Sequence, residues 1–101
     1  MAYDQRFSVQ AQRLVLCDWV GPITPEMVKS ACTKLDARQW DVLRLRWELD
    51  VDIMNIFNST PKRNTRELGR LLSMRRKDIR FLEVNAIANV RARLELAAMR
   101  R

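Results

Sequence analysis

The 101-residue sequence contains no histidine and has only two cysteines, two glycines and three prolines. Without histidine the chain lacks the commonest metal ligand and general base, and two cysteines cannot complete a zinc site. The acidic residues are scattered, and no pair has a spacing that indicates acid–base or metal chemistry. We therefore expect a protein that is not an enzyme, with no catalytic residues, no metal and no cofactor.

Long apolar segments are also lacking. The N-terminus has no apolar stretch typical of a signal peptide, and the longest early apolar run, Leu14 to Cys17, cannot span a bilayer. These absences predict a cytoplasmic protein that makes no membrane contact, with Cys17 and Cys32 as free thiols. Because helix breakers are few and strong helix formers dominate the composition, the expected fold is all-α.

Positive charge is concentrated in the second half of the chain. Residues 1–50 hold seven of the nineteen basic residues and seven of the twelve acidic ones, so the formal net charge of +7 lies entirely in residues 51–101. Such asymmetry favours a polyanionic partner for the C-terminal half. Eight basic residues fall within one short stretch of this half: Lys62, Arg63, Arg66, Arg70, Arg75, Arg76, Lys77 and Arg80.

Capping signals mark three helix starts: Thr24 with Pro25 and Glu26, Asp36 with Gln39, and Asn64 with Glu67. The helix that follows Thr24 is expected to end near Leu35. Residues 7–20 are also expected to be helical, up to a break at Gly21-Pro22. Between residues 50 and 63 the pattern is less regular, and a short helix and an apolar loop under the core remain alternatives.

Residues 65–84 have the pattern of a helix-turn-helix, in which two short helices bury apolar residues across a tight turn: Leu68, Leu72, Met74, Ile79 and Leu82. From about Met74 the second helix continues as an amphipathic stripe that lasts nearly to the C-terminus: Ala86, Val90, Leu94 and Ala97. The apolar residues in the last turns of this helix are expected to pack against another segment. Residues 7–35 and a second copy of the chain, forming a homodimer through the C-terminal helix, remain alternatives.

Several segments follow one another in an order that is found in a known family: Leu35–Arg38, Val42–Asp50, Glu67–Gly69, Arg76–Glu83, and Ala86 with Val90 and Arg91. In these segments residues 35–93 resemble the fourth conserved region of the primary sigma-factor family. That region is the helical domain that reads the upstream promoter element for bacterial RNA polymerase, and it also docks on the polymerase flap.

The resemblance implies a small helical domain with a sigma region 4-like helix-turn-helix and a long C-terminal helix over residues 35–101. Residues 1–34 would form a helical extension packed on that domain. It also implies a bacterial or phage transcription regulator whose partners are double-stranded DNA and RNA polymerase. The recognition helix would lie in the major groove.

The sequence departs from the family at several positions. Residues 51–62 contain an apparent insertion, and Ser73 stands where glycine is usual at the turn. Arg75 replaces a capping threonine or serine, Lys77 a glutamate and Phe81 a glutamine. Because the last two family positions face bases, the promoter preference of the family is not implied for this chain.

Arg76 and Arg80 are expected one helical turn apart, and arginine is the side chain best suited to bidentate pairing with guanine. The other basic side chains are expected mainly on phosphates, while Phe81 would either contact a thymine methyl group or belong to a core or an interface. The predicted DNA-binding residues are Lys62, Arg63, Arg70, Arg75, Arg76, Lys77, Arg80 and Phe81.

An alternative function is a protein-interaction module that mimics or captures a component of the transcription machinery. Ile53, Ile56 and Phe57, together with residues 1–34, would then carry the partner contact. A third alternative is a phage DNA-packaging subunit, since such subunits also use small helix-turn-helix domains.

Overall fold

The computed structural model describes residues 16–100, and these residues form an all-α fold. The helices are α1 (Pro25–Cys32), α2 (Ala37–Trp47), α3 (Thr65–Leu72) and α4 (Arg76–Met99), with a 3₁₀ helix (Ile53–Phe57) between α2 and α3. The all-α prediction is therefore confirmed for this part of the chain.

All three predicted helix starts are confirmed by side-chain caps. Each capping oxygen accepts a backbone N–H three residues ahead, which satisfies one of the unpaired donors of the first turn. The pairs are Thr24 Oγ1 with Met27 at 3.2 Å, Asp36 Oδ1 with Gln39 at 2.8 Å, and Asn64 Oδ1 with Glu67 at 2.8 Å.

Two predicted boundaries are wrong. The helix expected over residues 7–20 lies mostly outside the described residues, and its described end, residues 16–20, is not helical. There the Trp19 N–H makes a single turn bond to the Leu16 carbonyl, while the Leu16 side chain is fully buried in the core. Helix α1 ends at Cys32, before Leu35, because the chain must turn to bring Asp36 into its extended capping conformation.

The apolar segment after α2 is a short helix, one of the two alternatives. Asp52 begins it by accepting the N–H of Met54 at 3.0 Å, and the Asn55 side chain donates to the Glu48 carbonyl at 3.2 Å. Ile53 and Ile56 are buried against the core.

Most of the core surrounds α4, whose predicted stripe is buried as far as Leu94, while its last member, Ala97, is half-buried. Ala86, Val90 and Leu94 are fully buried, and α1 packs against the same helix. Leu94 belongs to one buried cluster with Leu16 and Val28, so residues before α2 cover the later part of the stripe. Near the C-terminal end Leu96 and Met99 remain exposed, at 54% and 81% of their surface.

A smaller cluster joins α2, α3 and the beginning of α4. Val42, Leu68 and Ile79, one from each helix, are fully buried in it. Four half-buried side chains surround them: Leu45, Leu72, Met74 and Leu82. This cluster fixes α3 and the first turns of α4 against each other and against α2.

The turn between α3 and α4 is tight. Ser73 caps α3 in the left-handed conformation, with φ 54°, and the N–H groups of Ser73 and Met74 both donate to the Gly69 carbonyl. A Cβ atom at Gly69 would lie 2.8 Å from the Met74 carbonyl oxygen, so the turn needs a residue without a side chain there. Because position 73 has a left-handed backbone, it favours glycine, the residue that is usual there in the sigma region 4 family.

Replacing Ser73 by glycine should raise the free energy of unfolding. A left-handed conformation costs a residue with a Cβ about 1–2 kcal/mol, while the greater freedom of glycine in the unfolded chain removes about half of that gain. Urea unfolding of Ser73→Gly should therefore show a gain of about 0.5–1 kcal/mol. Ser73→Ala keeps the strain and serves as the control, and a loss of stability in the glycine variant would contradict this account.

Candidate nucleic-acid interface

The basic residues of α3, the turn and the start of α4 form a solvent-facing surface. Among the predicted DNA-binding residues, seven are exposed: Lys62, Arg70, Arg75, Arg76, Lys77, Arg80 and Phe81. Within residues 16–100, Arg70, Arg76 and Lys77 make no ion pair. Their charges are therefore available to a partner. We call these seven residues the basic face.

Arg75 has a weak internal partner. Its Nε lies 3.5 Å from the Asp78 carboxylate, but the Arg75 side chain is 86% exposed. Such a solvent-exposed pair contributes little stability and is readily exchanged for another anion. Arg75 also stands at the N-cap of α4 without a side-chain capping bond. The first N–H groups of α4 are thus uncapped by that side chain, and the helix dipole adds positive potential there.

The first turns of α4 present one side to solvent and the other to the core. Arg76 and Arg80 are one turn apart on the exposed side, with Lys77 and Phe81 next to them. Ile79, on the opposite side, is fully buried. Because the core holds that side of the helix, the orientation of the exposed side chains is fixed relative to the domain.

Phe81 is an exposed aromatic residue on a positively charged helix. Its side chain is 69% exposed, so the interpretation that places it in the core is wrong. The interface and base-contact interpretations remain. A phenyl ring left in water is stabilised when a partner covers it, which makes Phe81 part of the candidate surface.

Arg63 differs from the rest of the predicted set because it is half-buried and has a structural role. Its Nη1 donates to the Leu45 carbonyl at 2.6 Å, at the C-terminal end of α2. In return the backbone N–H groups of Lys62 and Arg63 both donate to the Arg46 carbonyl, at 2.8 and 3.1 Å. These bonds attach the segment before α3, which carries the exposed Lys62 of the basic face, to α2.

A buried ion pair, which the sequence did not reveal, lies behind the basic face. Arg46 Nε donates to Glu83 Oε2 at 2.5 Å, and Trp47 Nε1 donates to the same oxygen at 3.2 Å. Glu83 is only 2% exposed. Burial raises the pKa of the Glu83 carboxyl above its usual value. The charge and hydrogen bond of Arg46, the hydrogen bond from Trp47 and the charge of Arg80 offset part of that rise.

The Arg46 guanidinium connects three parts of the fold. Besides its pair with Glu83 on α4, its Nη1 donates to the Arg63 carbonyl at 2.8 Å, in the segment before α3. Arg46 itself lies on α2. This side chain therefore fixes both helices of the basic face to the body of the domain. One sequence signal indicates that Glu83 is buried, but not which residue it pairs with: Glu83 lies one turn from both Ile79 and Ile87, within the apolar stripe.

The three residues predicted to contact a protein partner lie elsewhere. Ile53 and Ile56 are buried, and Phe57 is half-buried and packs against the main core cluster. They are not presented as a partner surface, because the apolar insertion is used to cover the domain's own core. The alternative function, a protein-interaction module, is therefore left without these three predicted contact residues.

Other parts of the described chain offer little chemistry. Burial raises the pKa of the Cys32 thiol to about 11, so this thiol stays protonated at neutral pH. No three cysteine or acidic side chains of residues 16–100 come together in a way that could hold a metal ion. The helices in this range are each too short or too polar to cross a lipid bilayer.

Comparison with protein-family models, with curated protein sequences and with solved structures found no match. The functional interpretation therefore depends on the geometry and charge of the basic face.

Proposed function

We propose that this protein is a DNA-binding transcription regulator in which α3, the turn and α4 act as a helix-turn-helix. The observation that carries the proposal is the basic face, because two of its arginines and its aromatic ring stand on α4, whose other side is buried. DNA is a polyanion of regular shape, and an α-helix fits its major groove. The sigma region 4 resemblance and a contact with RNA polymerase belong to the same proposal.

The side chains divide into two roles by position. Arg76 and Arg80 point from the first turns of α4 and would pair with guanine O6 and N7 atoms, while Phe81 would contact a thymine methyl group. The remaining cations of the basic face would bind phosphates, which set the register of the protein without reading sequence. They are Lys62, Arg70, Arg75 and Lys77.

The salt dependence of binding tests this function. Cations bound to phosphates release counterions, so contact with about six phosphates should give a slope of about −5 for log K against log salt. The measurement is fluorescence anisotropy of a labelled duplex from about 50 to about 200 mM salt. Lys77→Ala should make the slope less steep by about one. A slope near zero would overturn the proposal.

A further inference from the structure

A second exposed surface lies at the other end of α4. Here α1 and the last turns of α4 border an open groove of about 430 Å³. Met27, Ala31, Leu96 and Ala97 form its apolar floor. Ala31 is buried, while more than half of the Leu96 surface is exposed to solvent. Small residues on both sides allow a further helix to approach closely, and the exposed Leu96 supplies apolar area that such a helix would bury.

The rim of this groove is positively charged. Lys34, Arg93 and Arg100 line it and are all exposed. Arg93 donates to the Asn89 side chain at 3.1 Å, and none of the three makes an ion pair within residues 16–100. Among those residues Glu26 is the only carboxylate that lines the groove. The groove therefore combines an apolar floor with a rim that attracts anions.

The apolar floor and the cationic rim together indicate which kind of molecule fits the groove. A second copy of the chain would bring its own cationic rim against this one, and residues 1–15 carry two arginines and one aspartate. Both are disfavoured by charge. Nucleic acid would leave the apolar floor uncovered. An acidic helix with one apolar face would pair its carboxylates with the cationic rim and bury its apolar side chains against the floor.

We propose that the groove binds an acidic amphipathic helix of a partner protein. The lining of the groove follows α4 from Arg93 to Arg100, two turns or about 10 Å, so a helix of about 14 residues would cover the groove with a turn to spare at each end. Arg76 and Arg93 are 17 residues apart in one helix, or about 25 Å. The basic face and the groove can therefore be occupied together, and neither proposal depends on the other.

Selection of displayed peptides on the 101-residue chain tests this proposal. The probe is a library of random peptides of about 14 residues, and selected peptides are then measured by calorimetry. Enriched sequences should be rich in aspartate and glutamate, with apolar residues three and four positions apart. Leu96→Glu should weaken their binding at least about tenfold, because it places charge on the floor and opposes the peptide. Lys34→Glu with Arg93→Glu should do the same.

Peptide affinity and DNA affinity, both measured on the same two variants, separate this proposal from the proposed DNA-binding function. Arg76→Ala should leave peptide affinity unchanged, and Leu96→Glu should leave DNA affinity unchanged. The proposal is overturned when no sequence is enriched, when enriched peptides are basic or uncharged, or when Leu96→Glu binds them as well as the original chain. A dimer in sedimentation equilibrium that dissociates in Leu96→Glu would identify a second copy as the occupant and would also overturn it.

Discussion

Replacing both Arg76 and Arg80 by alanine should weaken binding to a preferred DNA site by about 30-fold or more, since each bidentate arginine–guanine contact contributes about 1–3 kcal/mol. Both side chains are exposed on α4 and make no ion pair within residues 16–100, so the fold should be unchanged. Anisotropy with a site-containing duplex and with a scrambled duplex measures the effect. Circular dichroism checks that the helices persist.

The matched control is Arg93→Ala with Arg100→Ala. This pair removes the same two charges from exposed positions of the chain, but at the opposite end of α4. It should weaken binding only slightly and to both duplexes alike, through the net charge. Equal losses in the two double variants would mean that overall charge, and not the start of α4, determines binding. That outcome would remove the recognition role proposed for the basic face.

Replacing Glu83 by alanine should lower the free energy of unfolding by about 3–5 kcal/mol, because it leaves a largely buried guanidinium without its carboxylate. The Arg46 side chain is only 16% exposed, and the Trp47 indole N–H would lose its acceptor at the same time. Urea denaturation measures the change. In a domain of this size such a loss is a large share of the total stability.

Two further variants show whether the effect belongs to the pair. Arg46→Met combined with Glu83→Leu removes both charges and should recover most of the loss, since apolar replacement of a whole buried pair is often neutral or stabilising. Asp78→Ala breaks the exposed pair with Arg75 and should cost less than about 1 kcal/mol. If Glu83→Ala costs as little as Asp78→Ala, the pair does not hold the helices of the basic face in place.

Helix starts were predictable from sequence because their causes are local. Asp36 and Asn64 each bond a backbone N–H three residues ahead, and the spacing of the capping residues is visible in the sequence. The stripe through Val90 and Leu94 was predictable for a related reason, since apolar residues that recur once per turn lie on one side of a helix. Neither the caps nor the apolar stripe depends on which other segment of the chain packs against the helix.

Contacts between distant parts of the chain were not predictable in this way. Arg46 and Glu83 are 37 positions apart, and nothing in either segment alone shows that they meet. Arg63 resembled the other cations in the sequence, yet its position beside the end of α2 turns it toward the Leu45 carbonyl. Ile56 could equally have faced a partner or the core, and only the packing of the 3₁₀ helix decided between them.

For the candidate site, the sequence shows where the cations are concentrated but not how they are arranged in space. The exposed position of Phe81 follows from the side of α4 that Ile79 buries, which depends on α2 and α3 together. The groove between α1 and α4 has no sequence signature at all, because its floor and rim come from two segments about 60 residues apart in the chain.

Selection of bound sites from random duplex DNA tests the central claim most directly. The 101-residue chain and its Arg76→Ala, Arg80→Ala double variant are each used to enrich sites from the same pool, and the recovered sites are sequenced. We predict that the original chain enriches a defined motif containing guanines, and that the double variant retains general affinity for DNA without enriching that motif. Failure of the original chain to enrich any sequence, or enrichment of the same motif by the double variant, would contradict the claim.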